Sequence, residues 1–190
     1  GIERDGHLFQ AGMLEKAHGG TLFLDEVADM PRTTQGKILR VLTDQSFVRV
    51  GGDRQIRVDV RFVSATARDL AVEISEGRFR EDLFYRLNVV PVEIPPLSGR
   101  REDIPNLVHH YAARFASEHR ISPPNFSDDA LAALQACEWP GNVRQLRNII
   151  ERTIIMAPAD GIATIEADML PLEIINSYEG AEHNVTSLMG

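Results

Sequence analysis

Residues 19–26 read Gly-Gly-Thr-Leu-Phe-Leu-Asp-Glu, a short apolar run that follows two glycines and ends in two adjacent carboxylates. A run that is apolar on both faces is typical of a parallel strand buried between helical layers. Ligands of open parallel sheets bind beyond the carboxyl ends of the strands, where Asp25 and Glu26 would lie. Two such acids can divide the work of nucleotide hydrolysis: the first holds Mg²⁺ through water, and the second orients or deprotonates the attacking water. The alternative interpretation is an acidic pair that caps a helix N-terminus.

The rest of the first hundred residues alternates strand and helix patterns, which predicts an α/β fold. Further buried strands are predicted at residues 60–65 and 89–94, and the second of these ends at Pro95-Pro96. Glycines at 51–52 predict a hairpin over residues 47–58. Helices are predicted after Pro31 and over residues 7–18, 69–76 and 79–88.

After Pro96 the pattern becomes purely helical. Ser127 is a suitable N-cap for the second of three amphipathic helices, which are predicted over residues 102–119, 128–137 and 141–157. The expected organisation has three parts: an α/β part over residues 1–97, an all-α part over 98–157 and an acidic tail or linker over 158–190.

The composition is that of an ordinary globular protein. Of 190 residues, 43% are hydrophobic and 25% charged, which excludes a disordered, collagen-like or coiled-coil chain. The single Cys137 excludes a disulfide framework and a cysteine zinc site. Apolar runs are too short to cross a bilayer, so we expect no membrane partner and a cytoplasmic location. Because the chain starts at Gly1 without an initiator Met, we expect it to be part of a longer protein.

Charge is unevenly distributed along the chain. The net charge is −8, yet residues 32–101 hold 13 Lys or Arg against 9 Asp or Glu, whereas residues 158–190 hold 6 acids and no Lys or Arg. Most of the basic residues are arginine, whose forked guanidinium matches phosphate. The basic middle therefore faces either phosphate or solvent with local ion pairs.

Two motifs carry arginines that are candidates for phosphate contacts. Residues 79–87 read Phe-Arg-Glu-Asp-Leu-Phe-Tyr-Arg-Leu and contain Arg80 and Arg86. An arginine offered to the γ-phosphate of a neighbouring subunit stabilises the charge that develops during transfer. The alternative is a surface pair between Asp82 and Arg86, four residues apart. Arg144 falls in the first turn of the last predicted helix, where the helix dipole disfavours a cation, and this indicates an anionic partner.

Four motifs resemble, in order and spacing, the AAA+ domain of sigma-54-dependent transcription activators. They are the segments 12–27, 79–87, 101–105 (Arg-Glu-Asp-Ile-Pro) and 139–146 (Trp-Pro-Gly-Asn-Val-Arg-Gln-Leu). The likeness covers roughly residues 1–157 and is greatest to NtrC-type response regulators, the NtrX subgroup among them. It implies part of the AAA+ P-loop NTPase sheet, whose strand order is 5-1-4-3-2, followed by an all-α helical lid. Strands 3, 4 and 5 would be the three predicted strands.

The resemblance also implies roles for single residues and for the whole protein. In this family ATP and Mg²⁺ are the cofactors, and the working form is a ring, usually a hexamer. The partner is the sigma-54 RNA polymerase holoenzyme, which is remodelled so that promoter DNA opens; here DNA would be bound only through a domain outside this chain. Residues that match nucleotide-handling positions are Asp25 and Glu26 (Walker B), Thr66 (sensor I), Arg80 and Arg86 (arginine fingers), Arg144 (sensor II, reaching nucleotide from the lid) and residues 49–58, a loop that moves with the nucleotide state.

The chain departs from the family pattern in ways that leave other functions open. It contains neither the Gly-x-x-x-x-Gly-Lys-Ser/Thr phosphate loop nor the Gly-Ala-Phe-Thr-Gly-Ala loop that contacts sigma-54, so we expect residues 1–190 alone to be inactive as an ATPase. Ala67 stands where many members carry a polar sensor asparagine, which favours a non-hydrolysing AAA+ assembly module. A DNA-binding helical module over residues 128–157 is a further alternative, against which residues 102–157 carry net negative charge.

We expect the isolated 190-residue chain to self-associate. In the family's strand order, strand 5 lies beside strand 1, for which these residues have no counterpart, so strand edges and apolar surface would be left uncovered. Light scattering should show dimers, domain-swapped species or aggregates. A monodisperse monomer that melts cooperatively would contradict this expectation.

Overall fold

The computed structural model describes residues 1–4, 7–156 and 164–176. The chain divides into two compact units, Gly1–Val92 and Glu93–Gly190, a few residues before the boundary that the sequence predicts. The first unit contains β1 (Ile2–Arg4), β2 (His7–Gln10), α1 (Met13–Lys16), β3 (Gly20–Leu24), α2 (Arg32–Asp44), β4 (Ser46–Val48), β5 (Gln55–Arg57), β6 (Val60–Ser64), α3 (Leu70–Ser75) and α4 (Glu81–Leu87).

A parallel pair of strands lies at the centre of the first unit. β3 and β6 are in register from Gly20 opposite Val60 to Leu24 opposite Ser64, at two positions where the sequence predicts strands. The predicted burial on both faces is wrong, because Phe23 and Val63 are 57% and 42% exposed. Parallel strands need a crossover connection, and here the crossover holds α2 and the antiparallel hairpin of β4 and β5. Both carboxyl ends therefore lie at the same edge of the pair.

The third predicted strand, residues 89–94, is not formed. The segment has no regular secondary structure, and its apolar side chains Val89, Val90, Val92 and Ile94 are 73–79% exposed. A strand forms only where a neighbour satisfies its backbone N–H and C=O groups. The expected neighbour is strand 1 of the family sheet, and no described residues occupy that position.

The first residues of the chain form a hairpin instead of the helix predicted over residues 7–18. β2 pairs antiparallel with β1, and only the short α1 remains of the predicted helix. The hairpin is joined to the rest of the unit by a bridge between Ile2 and Val50. Pairing between strands therefore decides the structure of residues 7–10 over the helical pattern of their side chains, since tertiary context overrides local propensity.

Two hydrophobic clusters form the core of the first unit. One packs Val27 against Phe79 and Leu83, all at most 1% exposed. It ties the turn after β3 to helix α4. The other joins α2 to β6 through Val41 and Val60.

The second unit contains the three helices that the sequence predicts. Its elements are α5 (Ile104–His119), β7 (Asn125–Phe126), α6 (Asp128–Ala136), α7 (Asn142–Met156) and β8 (Thr164–Ile165). Ser127 caps α6 as expected, because its hydroxyl accepts a hydrogen bond from the Ala130 N–H at 3.2 Å. Trp139 is buried in the core, and its indole Nε1–H donates to the Leu134 carbonyl at 2.8 Å. Across the described part of the chain, every helix lacks the length and apolarity of a membrane span.

The tail expected from residue 158 is wrong for residues 164–176, which pack into the second unit. β8 pairs in parallel with β7, and Ile165, Leu170 and Ile174 are at most 3% exposed within the helical core. The core is formed mainly by α5, α6 and α7, and these residues add only single apolar side chains to it. They therefore show no helical or strand periodicity of hydrophobic residues. The rest of the predicted tail, residues 158–163 and 177–190, lies outside the described residues.

Replacing Ile165 by Ala tests whether residues 164–176 belong to this core. Ile165 is fully buried, so the second unit should lose about 2–5 kcal/mol of unfolding free energy. Leu172→Ala is the control, because Leu172 is 75% exposed and its truncation should cost no more than about 0.5 kcal/mol. Native-state hydrogen exchange of α5, α6 and α7 measures both losses. Equal and small losses would contradict the assignment.

Candidate functional site

The carboxyl ends of β3 and β6 bring the acidic pair and the predicted sensor segment together. Asp25 and Glu26 follow β3 and are exposed. The Glu26 Oε2 atom accepts a hydrogen bond from the Ala67 backbone N–H at 3.2 Å. The Asp25 Oδ1 atom accepts one from the Glu26 N–H at 3.1 Å. One carboxylate of the pair is thus fixed against the segment that follows β6.

The backbone of Glu26 adopts the left-handed conformation, with φ 49° and ψ 55°. On either side of it the two strand ends are hydrogen-bonded: the Val27 N–H donates to the Ala65 carbonyl at 3.0 Å, and the Ala65 N–H donates to the Leu24 carbonyl at 2.9 Å. A non-glycine residue in this conformation costs about 1–3 kcal/mol and persists where its surroundings over-determine it. The strand pairing therefore fixes the direction in which the Glu26 side chain leaves the backbone.

The segment after β6 is tied to the turn that follows Glu26. Thr66 is half-buried, and its hydroxyl oxygen accepts a hydrogen bond from the Arg68 N–H at 3.2 Å. The Arg68 guanidinium pairs with Asp29 at 2.6 Å and lies 3.7 Å from the Glu73 carboxylate. Arg68 therefore links the sensor segment to the turn after the acidic pair and to α3.

The two candidate arginine fingers have different surroundings. Arg80 is the N-cap residue of α4, and its guanidinium forms a forked pair with Asp82 at 2.7 and 2.9 Å. The hydrogen bonds of this pair lower the pKa of Asp82 and raise the pKa of Arg80. Arg86 is exposed and donates a long hydrogen bond of 3.3 Å to the Leu42 carbonyl. The Asp82–Arg86 pair that the spacing suggested is wrong; Asp82 pairs with Arg80.

Arg144 lies in the second unit, exposed on the first turn of α7. It lines a cleft of about 540 Å³ together with Tyr111 and Arg147, and it forms no ion pair with a described residue. The turn before α7 is held by Asn142, whose Oδ1 atom accepts a hydrogen bond from the Leu97 N–H at 2.7 Å. A cation at the positive end of a helix dipole makes this cleft suitable for an anion.

The loop over residues 49–58 is anchored at its start by an ion pair. Arg49 donates hydrogen bonds to the Glu15 carboxylate at 2.7–3.3 Å, and the two side chains are only 17% and 13% exposed. The hydrogen bonds from Arg49 lower the pKa of Glu15 from 4.5 to about 2, against the opposing effect of burial. Further along the loop, β5 pairs with β4.

The sequence pattern did not predict two residues that organise this region, Arg68 and Gln35. Gln35 is fully buried on α2 and forms hydrogen bonds with three backbone groups outside its helix. A signal for it exists in the sequence, since Gln35 occupies the helical face that Ile38, Leu39 and Leu42 line with apolar side chains. A polar residue on that face needs buried partners.

The donor set at the strand edge fits Mg²⁺ only in combination with a phosphate ligand. Residues 1–4, 7–156 and 164–176 contain no cluster of three or more His, Cys, Asp or Glu side chains placed to hold a metal ion. Asp25 and Glu26 form no ion pair with a described residue. Mg²⁺ is usually held by one or two carboxylates together with substrate phosphates and waters, so the Asp25 carboxylate could hold the ion through water if phosphates and waters supplied the other ligands.

Comparison with known families accounts for most of the chain. Residues 5–93 match the sigma-54 interaction domain, and residues 98–187 match an AAA+ ATPase lid domain. The chain is a sigma-54 interaction domain followed by an AAA+ ATPase lid domain. The two matched segments meet close to the junction between the two units of the structure, so the second unit is the lid.

Curated relatives of this family member are regulatory proteins. The nitrogen assimilation regulatory protein NtrX of Azorhizobium caulinodans is 52% identical over 187 residues, which are 95% of this chain and 41% of the relative. The DNA-binding transcriptional regulator NtrC of Rhizobium meliloti is 49% identical over 151 residues, 80% of this chain and 31% of the relative. The chain therefore spans about two fifths or less of the length of these relatives.

Solved structures confirm the predicted AAA+ fold class. NtrX from Brucella abortus in complex with ATP is 55% identical, with a TM-score of 0.79 over 90% of this chain and 39% of that one. The ADP complex is 54% identical, with a TM-score of 0.80 over 93% and 39%. A RuvB mutant of Thermotoga maritima, 16% identical with a TM-score of 0.54 over 86% and 46%, shares the fold alone.

Glu15→Gln should destabilise the protein in a pH-dependent way. Because folding lowers the pKa of Glu15 from 4.5 to about 2, its ion pair stabilises the folded state above the higher value and loses that effect as pH falls through the lower one. We expect a loss of roughly 1.5–3 kcal/mol at neutral pH, which vanishes on acidification. Urea denaturation of the full-length protein over a pH series measures the difference from wild type.

The control for this prediction is Glu118→Gln, which breaks an exposed i,i+4 pair with Arg114. It should cost only about 0.3–0.5 kcal/mol. A loss for Glu15→Gln that did not change with pH would show that the ion pair is not its source.

Proposed function

We propose that this chain is the catalytic-base, finger and lid portion of an ATP-hydrolysing transcription activator, which remodels sigma-54 RNA polymerase at promoters within a two-component response regulator. The observation that carries the proposal is the Glu26 carboxylate, held by the Ala67 N–H at the shared edge of β3 and β6. The sigma-54 interaction domain match supports the polymerase partner. The names of the NtrX and NtrC relatives support the regulatory role.

Glu26 is the proposed water-activating residue. One of its carboxylate oxygens is occupied by the Ala67 N–H, which leaves the other to accept a proton from water as that water attacks the γ-phosphate of ATP. Asp25 would hold Mg²⁺ through water, where the ion supplies charge neutralisation of the phosphates. Thr66, at the same edge, would contact the γ-phosphate as sensor I.

Arg80 and Arg86 are proposed to act on the ATP of a neighbouring copy in a ring, a hexamer as is usual in the family. An arginine supplied across an interface stabilises charge on the transferred phosphoryl group. Arg86 is exposed, whereas Arg80 would exchange its Asp82 partner for phosphate. Arg144 would contact nucleotide as sensor II, promoter DNA would be held by a domain outside this chain, and the location would be the cytoplasm.

A non-hydrolysing AAA+ assembly module is the second candidate. The observation in its favour is Ala67, whose methyl group offers no hydrogen bond where many family members carry an asparagine side chain. The backbone contact to Glu26 does not depend on that side chain, so it is compatible with either function. Measured turnover decides between them.

ATP turnover by the full-length protein should rise steeply with protein concentration, because the arginine fingers act across an interface. Glu26→Gln should keep ATP binding and lower kcat about 10²–10⁴-fold, the usual contribution of a general base. Arg86→Ala should lower kcat about 10³-fold or more. Phosphate release, measured over a range of protein concentrations, tests all three expectations. Open-complex formation at a sigma-54 promoter should be lowered in the same two variants.

Two surface variants provide the controls. Arg114→Ala and Glu118→Gln alter the two ends of an exposed ion pair on α5, and both should retain wild-type turnover. A wild-type protein that binds ATP without hydrolysing it would favour the assembly module. Turnover that did not depend on protein concentration would remove the arginine fingers from the proposal.

A further inference from the structure

Gln35 is the most deeply buried polar side chain among the described residues, with no exposed surface. Its Oε1 atom accepts a hydrogen bond from the Arg80 N–H at 2.9 Å. Its Nε2 atom donates to the Met30 carbonyl at 2.8 Å and to the Arg78 carbonyl at 2.9 Å. Both N–H groups of the amide and its oxygen are therefore engaged by backbone groups.

These hydrogen bonds join two segments that the proposed function uses. Met30 ends the short turn that follows Glu26, and residues 78–80 lead into α4, whose N-cap residue is Arg80. Gln35 belongs to neither segment, because it projects from α2. Gln35 thus adds a polar link to the hydrophobic cluster of Val27, Phe79 and Leu83, which also ties the turn after the acidic pair to the finger helix.

The backbone before Arg80 is also held by hydrogen bonds to α3. The Arg78 and Phe79 N–H groups donate to the Glu73 carbonyl at 2.9 and 3.0 Å. The buried Glu73 carboxylate pairs with the Arg78 guanidinium at 2.6 Å, and the hydrogen bonds of that pair lower the pKa of Glu73. The backbone of residues 78–79 is therefore held by several hydrogen bonds. The Arg80 N–H, at the residue that carries the finger side chain, donates its hydrogen bond to Gln35.

We propose that Gln35 is a positioning residue for Arg80: its three backbone hydrogen bonds set the place from which the finger reaches the neighbouring subunit's ATP. The inference rests on the proposed finger role of Arg80. An apolar side chain of similar size would fill the same space without the cost of burying an amide. A shift of about 1 Å at a reacting group can lower the rate roughly 10²-fold. A finger helix that is free to shift would therefore slow hydrolysis.

The proposal has a consequence that a purely structural role lacks. A finger acts on the nucleotide of the next subunit, whereas Glu26 is fixed by the hydrogen bonds between the ends of β3 and β6. A defect at Gln35 should therefore impair the neighbour's site and leave the Glu26 site of its own subunit intact. Loss of packing or misfolding would impair both.

Gln35→Met removes the three hydrogen bonds at nearly constant volume. We expect kcat of the full-length protein to fall about 10²-fold with the KM for ATP little changed. Gln45→Met is the matched control: Gln45 is half-buried at the other end of α2, and its amide bonds the backbone of Val60, at 3.2 and 3.4 Å, instead of the backbone at Arg80. It should keep wild-type turnover, and thermal unfolding of both variants shows whether they fold.

Mixing subunits provides the decisive measurement. Gln35→Met subunits supply an intact Glu26, and Glu26→Gln subunits supply an intact finger. In a random equal mixture, roughly a quarter of the interfaces combine the two intact parts, so turnover should rise well above that of either variant alone. Arg80→Ala mixed with Glu26→Gln is the reference for a finger that acts between subunits.

The two mixtures separate failure of the inference from failure of the proposed function. Recovery in both mixtures supports the positioning role. Recovery with Arg80→Ala but not with Gln35→Met overturns the inference, since Gln35 then acts within its own subunit. No recovery with Arg80→Ala shows that the finger does not act between subunits, and the inference falls with it.

Discussion

The parallel pairing of β3 with β6 is the constraint on which the first unit depends. It aligns Leu24 with Ser64 and so places the turn at Glu26 beside the segment at Ala67. Because side chains alternate faces along a strand, a shift of one residue in this register would turn every side chain of the strand to the opposite face. The left-handed backbone of Glu26 and its hydrogen bond to Ala67 both follow from that alignment.

The elements that could be predicted from sequence are those whose reason for forming is local. Short apolar runs predict the two strands β3 and β6, and amphipathic stretches with capping residues predict the helices of the lid. Residues 89–94 have the same strand composition, yet they form no strand, because a strand also needs a partner. The predictions for residues 7–10 and 164–176 were wrong for other reasons. Residues 7–10 have a helical pattern but pair with the neighbouring strand β1, and residues 164–176 pack against distant segments of the second unit, which their own pattern does not encode.

The candidate site divides along the same line. Residue type and order make Asp25, Glu26 and the arginines candidates, since carboxylates after a strand and arginines on a helix have a recognisable chemistry. Which groups they contact depends on tertiary structure. The pairing of Asp82 with Arg80, and the support of Arg80 from Gln35 on another helix, could not be obtained from spacing alone. Ala67 shows the limit most clearly, because its contact with Glu26 uses a backbone N–H that nearly any residue would supply.

Trp139 gives the lid an optical property that the first unit lacks. It is the single tryptophan of the chain, it is 2% exposed, and its indole N–H is bonded to the Leu134 carbonyl within the same unit. Intrinsic tryptophan fluorescence from these residues therefore reports on the lid alone. Since Trp139 lies five positions before Arg144, in the turn that leads into α7, its emission can follow, without any attached dye, the turn that carries the arginine proposed as sensor II.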